Sequence, residues 1–200
     1  MKGLYRKFVR WIMQTALYRY LLKHVIPYIR FTTYYTNLRG IKYHQLYNVL
    51  KPGDVILTID KKKLTTLLIP GEFSHAAMCV SLDEKWEISE MTHTDYTKST
   101  FFDICKESDR VVIMRCKECA DDDIAQAIKK CKSLEGAKYD TEFTLGIHAL
   151  YCSELVYQSY GNNLLQADLS DFVGLGRLYI SPVGLYHAGN LCTVIDSDDL

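Results

Sequence analysis

The first 53 residues contain no aspartate and no glutamate. They carry ten cationic side chains instead: Lys2, Arg6, Lys7, Arg10, Arg19, Lys23, Arg30, Arg39, Lys42 and Lys51. From Asp54 onward there are 14 basic and 24 acidic residues, so a net charge of zero conceals a basic segment joined to an acidic body. Such asymmetry points to an anionic surface met by the basic end, or to an arm that packs on its own acidic body. Both readings stay open from charge alone.

Other scarcities are equally informative. Only four prolines occur in 200 residues and there is no low-complexity tract, which excludes a proline-rich or collagen-like chain. With 48% hydrophobic and 24% charged residues the composition is that of a folded globule, one domain or a domain plus an appendage. No long apolar run is present either. A spanning helix needs ~20 predominantly apolar residues, and Arg19, Lys23 and His24 interrupt the best stretch. Trp11 to Tyr18 is barely long enough for a secretory h-region and runs into Arg19. The chain therefore reads as cytoplasmic or virion-associated, with peripheral membrane contact through the arm as an open alternative. The seven cysteines are an odd number without an export signal, so free thiols are expected. Cys116 and Cys119 form a C-x-x-C with no second pair to complete four metal ligands, and they follow an apolar run, as a plain strand end would. No metal or cofactor is expected.

Within the arm, Leu4, Phe8, Trp11 and Ile12 gather on one side at helical spacing, with Lys2, Arg6 and Arg10 opposite. Past Leu17 the stripe fails, because Arg19 and Lys23 fall near the side that was apolar. Two short helices, or a helix half covered by protein, fit this better than one rod. We place the arm at residues 1–45 and the body at 46–200.

The body reads as short strands and helices in alternation. Strands are expected at 54–59, 74–81 and 86–92, the last two as a hairpin, then at 111–116, 178–180 and 192–195. Helical pieces are expected at 64–69, 101–107, 121–134, 148–160 and 181–187. Asp121, Asp122 and Asp123 open the 121–134 helix and Lys130 and Lys132 close it, as the helix dipole prefers. Gly161 ends the 148–160 helix. The tail 196–200 is acidic and expected to fray. Together these give an α+β domain with an antiparallel sheet.

Three residues could form a nucleophilic centre. Cys152 lies near a helix start, where terminal N–H groups and the dipole lower a thiol pKa, although free cysteines are also commonly buried for packing. His75 sits in a strand beside small residues that leave space at its ring. Glu90, on the neighbouring strand, can accept the second imidazole N–H and fix its tautomer, while Glu87 has the opposite parity. His148, four residues before Cys152, is a rival base by spacing but would share a helix with its nucleophile. His93 matches no motif.

The segments Leu50-Lys51-Pro52-Gly53-Asp54-Val55-Ile56-Leu57, Phe73-Ser74-His75-Ala76-Ala77-Met78, Lys138-Tyr139-Asp140 and Tyr151-Cys152-Ser153-Glu154-Leu155-Val156-Tyr157 resemble the successive signatures of the circularly permuted NlpC-type, papain-like thiol hydrolases. The likeness is strongest to the YiiX-like branch, related to the lecithin retinol acyltransferases, and covers about residues 50–185. It implies a papain-like fold with a central antiparallel sheet or barrel and packed helices, in which the His strand precedes the Cys helix. It also implies Cys152 as nucleophile, His75 as base and Glu90 as its orienting carboxylate, with Tyr139 as a second oxyanion donor beside the backbone N–H of Cys152. Tyr151 and Asp140 match family positions too, though each could equally pack or cap a turn.

The expected activity is cysteine-dependent hydrolysis of an amide, peptide or isopeptide bond through a thioester. A membrane-docked thiol acyltransferase or lipid ester hydrolase is the alternative that the basic aromatic arm favours. A non-catalytic binding module of the same fold is the third. Partners would be a peptide or lipid acyl substrate and an anionic membrane surface at residues 1–45; nucleic acid is not favoured, since the arm has no reading motif.

Overall fold

The computed structural model describes residues 2–29, 38–69, 71–85, 87–146, 149–171 and 178–200. The chain opens with two helices, α1 (Lys2–Gln14) and α2 (Ala16–His24), followed by a 3-10 turn at Ile26–Tyr28. The break between them is at Thr15, whose hydroxyl caps α2 by accepting the Tyr18 N–H at 3.1 Å. The arm is therefore two short helices. Its contact face differs from the expected stripe: Val9, Met13, Tyr18, Leu22 and Ile26 pack on Phe143, Tyr151 and Tyr179 of the body, while Phe8 and Trp11 face outward.

Helix α3 (Ile41–Val49), weakly amphipathic and not anticipated, leads into β1 (Val55–Ile59). It spans the 45/46 boundary placed from sequence, and Leu38, Leu46 and Leu50 are buried with body residues. After the 3-10 segment Leu64–Leu68 come β2 (His75–Cys79), β3 (Ile88–Thr92) and β4 (Asp95–Ser99). Then follow α4 (Phe101–Glu107), β5 (Arg110–Cys116), α5 (Asp121–Ser133), β6 (Lys138–Tyr139), β7 (Ala149–Leu150) and α6 (Cys152–Tyr160). The chain ends with β8 (Leu169–Asp171), β9 (Leu178–Ile180), α7 (Pro182–Tyr186) and β10 (Leu191–Asp196). Trp86, at the start of the strand expected over 86–92, lies outside the described residues.

Six strands form one antiparallel sheet in the order β10-β5-β1-β2-β3-β4. The alternation along β1 explains why all five of its residues are buried. Val55 and Leu57 join Ala76, Met78, Val112 and Met114 beneath α5 and α6, while Ile56 joins Ala77, Cys79, Val111 and Ile113 beneath α3 and α4. Helices on both faces make this a three-layer α+β fold with the sheet at its centre.

Four expectations are corrected. The C-x-x-C sulfurs are joined as a Cys116–Cys119 disulfide, so two of the seven thiols are not free. The acidic tail is not frayed: Asp196 accepts two Arg110 N–H groups, from Nε at 3.1 Å and from the terminal nitrogen at 2.6 Å, and Ser197 Oγ accepts the Val111 N–H at 2.9 Å. The strand β4 was missed because Asp95-Tyr96-Thr97-Lys98-Ser99 is a mostly polar edge. Finally, α6 starts at Cys152, since Ala149 and Leu150 pair in parallel with Lys138 and Tyr139 and Tyr151 is still extended. His148, the rival base, lies outside the described residues.

Candidate active site

Local structure brings the three candidates together at the end of the sheet where β2 begins. Cys152 is the first residue of α6, a helix packed against β2 and α5. Its backbone N–H is one of the terminal donors that a helix leaves without an intrahelical acceptor, and its thiol sits at the positive end of the dipole. His75 is the first residue of β2. Glu90 pairs with Ala77 in the β2–β3 ladder, which sets its carboxylate diagonally beside His75 on the same face.

The imidazole Nε2 lies 2.7 Å from Glu90 Oε2. That contact leaves Nδ1 for Cys152, whose ionised form is favoured by His75 and by the backbone N–H groups of Ala76 and Ser153. Burial by itself would push the thiol up, but the His75 hydrogen bond and charge together with the two N–H groups outweigh it and hold Cys152 below its ordinary value. Burial likewise works against a charged His75, yet Cys152 and Glu90 raise it to about 10. Glu90, whose burial opposes ionisation, is held below the usual carboxylate range by His75 and by the Ser99 hydroxyl. All three directions favour the charged form of the group concerned.

Two residues with no sequence signal support this set. Ser99, on the polar edge strand β4, donates its hydroxyl to Glu90 Oε1 and so fixes the carboxylate that faces His75. Asp95, at φ 79°, accepts Lys23 Nζ and Lys138 Nζ at 2.9 Å each and the Tyr139 N–H at 2.9 Å. Burial opposes its charge, but these donors hold its carboxyl far below the usual range. Asp95 thereby ties the arm to the strand that carries Tyr139. Neither role follows from residue spacing, because each depends on which edge strand comes to lie beside β3.

Cys152, His75 and Glu90 line a cleft of about 410 Å³. Tyr139 lines it too; burial and the neighbouring Cys152 keep its phenol neutral, so its hydroxyl is a hydrogen-bond donor. Its backbone N–H is taken by Asp95. Tyr151 is not brought to the cleft: it is buried with Phe143 and Tyr179, and its hydroxyl accepts the Ile180 N–H at 2.8 Å. Asp140 organises the following loop, accepting the N–H groups of Glu142 and Thr144 at 2.7 and 2.6 Å. His93 lines the cleft 3.1 Å from the Tyr28 hydroxyl, and Leu22 and Pro27 of the arm complete the wall.

Among the described residues, no helix is long and apolar enough to cross a membrane. Nor, among those residues, does any group of three His, Cys, Asp or Glu side chains stand where it could hold a metal ion.

Among solved structures, the crystal structure of the metalloprotein yiiX from Escherichia coli O157:H7 shares the fold, with a TM-score of 0.61 at 18% identity over 72% of this chain and 96% of that one. A search of curated protein sequences finds no match. Residues 49–182, which hold β1 through the start of α7 and all three cleft residues, match the model of the permuted papain-like amidase enzymes of the YaeF/YiiX type, C92 family, and the chain belongs to that family.

Proposed function

We propose that this cysteine-hydrolase family member cleaves an amide bond, in a peptide or isopeptide, through a Cys152–His75–Glu90 triad. The reading is carried by one observation: a thiol at a helix N-terminus shares one cleft with an imidazole that meets a buried carboxylate at 2.7 Å. The Cys152 thiolate attacks the carbonyl carbon, forming a C–S bond while the carbonyl π pair moves to oxygen. The backbone N–H of Cys152 and the Tyr139 hydroxyl are the donors suited to that oxyanion. When the tetrahedral adduct collapses, the C–N bond breaks and His75 gives its proton to the leaving amine. Water then attacks the thioester, its proton passes to His75, and the acid leaves as the Cys152 sulfur is released. Glu90 keeps the imidazole oriented and stabilises its cationic form.

The test is reaction with a peptidyl electrophile followed by intact-mass and peptide analysis. The expected adduct is on Cys152, formed rapidly even below pH ~7 because His75 holds the thiol below its ordinary value. His75→Ala leaves burial as the dominant influence and should move the alkylation profile to or above that of an ordinary thiol near pH ~8.5. Labelling of another cysteine, or a wild-type profile no different from that of the variant, would remove the triad.

A second reading, thiol-dependent transfer or hydrolysis of a lipid acyl group, is favoured by the apolar wall that Leu22, Pro27, Ile69, Met91 and Ile104 give the cleft. Offering phospholipid and peptide amides in parallel, and recording which one acylates Cys152, separates the two.

A further inference from the structure

The arm has two unlike sides, and the body packs mainly on one of them, touching the other where the Tyr28 hydroxyl meets His93. Val9, Met13, Leu22 and Ile26 are packed inward. Phe8, Trp11, Leu17, Tyr20, Tyr28 and Ile29 are exposed on the same two helices and the turn that follows, with Trp11 at 63% and Leu17 at 66% accessibility. Phe8 and Trp11 stack on each other at 6.2 Å, so their apolar area is contiguous. Contiguous exposed apolar surface of this kind marks an interaction site more often than a bare monomer surface. The cations Arg6, Lys7 and Arg10 stand exposed beside it, Arg6 in a long, solvent-exposed pair with Asp171 at 4.0 Å, in a segment of 53 residues without one carboxylate.

We infer that the outward side of α1, α2 and the turn after them is a docking surface for an anionic lipid bilayer. Aromatic side chains with polar tips suit the headgroup level, aliphatic Leu17 and Ile29 suit the acyl boundary, and Lys and Arg are drawn to anionic headgroups. A helix of 13 residues and one of 9 lie in the interface plane and do not cross it. A second copy of this chain is the less favourable occupant, since it would set one acid-free basic arm against another. Nucleic acid would be served by the cations and the rings, but it has no use for the exposed Leu17 and Ile29. Because Leu22 and Pro27 of the same arm line the cleft with Cys152, docking sets the cleft beside the lipid surface. The arm lies outside residues 49–182, so this surface is a property of this chain and not of the matched family region. It is independent of the triad and should persist in Cys152→Ala.

Flotation of the full-length chain with vesicles tests the inference. Vesicles containing about one-third phosphatidylglycerol in phosphatidylcholine should carry the protein at low salt and release most of it at high salt; pure phosphatidylcholine should carry far less. The triple substitution Arg6→Glu, Lys7→Glu, Arg10→Glu should weaken partitioning by ~100-fold. Trp11→Ser with Leu17→Ser should weaken it by at least about 10-fold. All these positions are exposed, so circular dichroism and the thermal midpoint should not change. Equal binding to neutral and anionic vesicles, or none to either, overturns the inference. So does tighter binding to a single-stranded oligonucleotide than to the vesicles, or a solution dimer that Trp11→Ser with Leu17→Ser converts to monomer.

Discussion

Two buried groups one helical position apart from Ser153 show how much a single residue's surroundings decide. Cys152 and Glu154 are both buried in the first turn of α6. The thiol has His75 and two N–H groups to stabilise its charge, so burial loses. Glu154 has less: its Oε1 accepts the Gly146 N–H at 2.7 Å, while Oε2 has no hydrogen-bond partner among the described residues. Burial dominates there and pushes its carboxyl up to about 7. A folded-state pKa above the unfolded one means the neutral acid is favoured in the native state. The associated stability is present below the unfolded value of about 4.3 and is lost as pH rises through about 7. Glu154→Gln keeps an acceptor for Gly146 and never ionises. Its stability relative to wild type should therefore be near zero at pH 4 and rise to about 3.5 kcal/mol by pH 8. Urea unfolding at the two pH values checks this; an equal loss at both would mean that the charged carboxylate is a paired, stabilising group.

At the scale of elements, the turn into β1 explains why Pro52-Gly53-Asp54 carries more than a turn signal. Gly53 has φ 92°, and a Cβ there would stand 2.5 Å from Ile124 Cγ2 of α5, so the position needs glycine for both backbone and space. Asp54 is buried and receives Arg115 of β5 in a two-pronged pair, Nε to Oδ1 at 2.6 Å and the terminal nitrogen to Oδ2 at 2.7 Å. The same terminal nitrogen also donates to the Val49 carbonyl, which joins α3, β1 and β5 at one corner. Arg115→Ala should cost about 3 kcal/mol, mostly because it strands a buried carboxylate. Adding Asp54→Asn should return part of that loss, a coupling that a double-mutant cycle in urea measures; strictly additive losses would show that the pair is not the unit.

This corner also marks the division between what could be read in the sequence and what could not. The strands β1, β2, β3 and β5 were legible because two buried faces demand runs of Val, Ile, Met and Ala. The likeness of four short segments to a family pointed to Cys152, His75 and Glu90 before any geometry placed them in one cleft. The polar strand β4 gave no such run, yet it supplies Ser99 and Asp95. The helix α6 begins four residues later than its pattern suggests, because Ala149-Leu150 continues the helical pattern while its backbone pairs with β6. Register and edge pairing depend on the whole sheet, and local patterning does not encode them.

Across the whole molecule, the charge asymmetry suggests that a basic arm is held to an acidic body by ion pairs, and the magnitudes argue otherwise. Arg19 meets Glu142 at 2.6 Å and Lys23 meets Asp95 at 2.9 Å, but Arg19 is about half exposed and Lys23 more than a quarter. Exposed pairs of this kind contribute about 0.2–1 kcal/mol each and are screened by salt. Met13 and Leu22 are buried against Phe143, Tyr151 and Tyr179, and truncating such side chains to Ala costs about 2–5 kcal/mol each. The inner face is therefore attached mainly by apolar packing, and on the outer side Arg6 meets the body only at 4.0 Å from Asp171, with both side chains 40% or more exposed. Met13→Ala with Leu22→Ala should free the arm, seen as rapid limited proteolysis within residues 1–29 and a lower thermal midpoint. Arg19→Gln with Lys23→Gln, or high salt on the wild-type chain, should leave the arm protected. If salt alone exposed the arm to protease while the Met13 and Leu22 substitutions did not, electrostatics would be its attachment after all, and an anionic bilayer would compete with the body for the same charges.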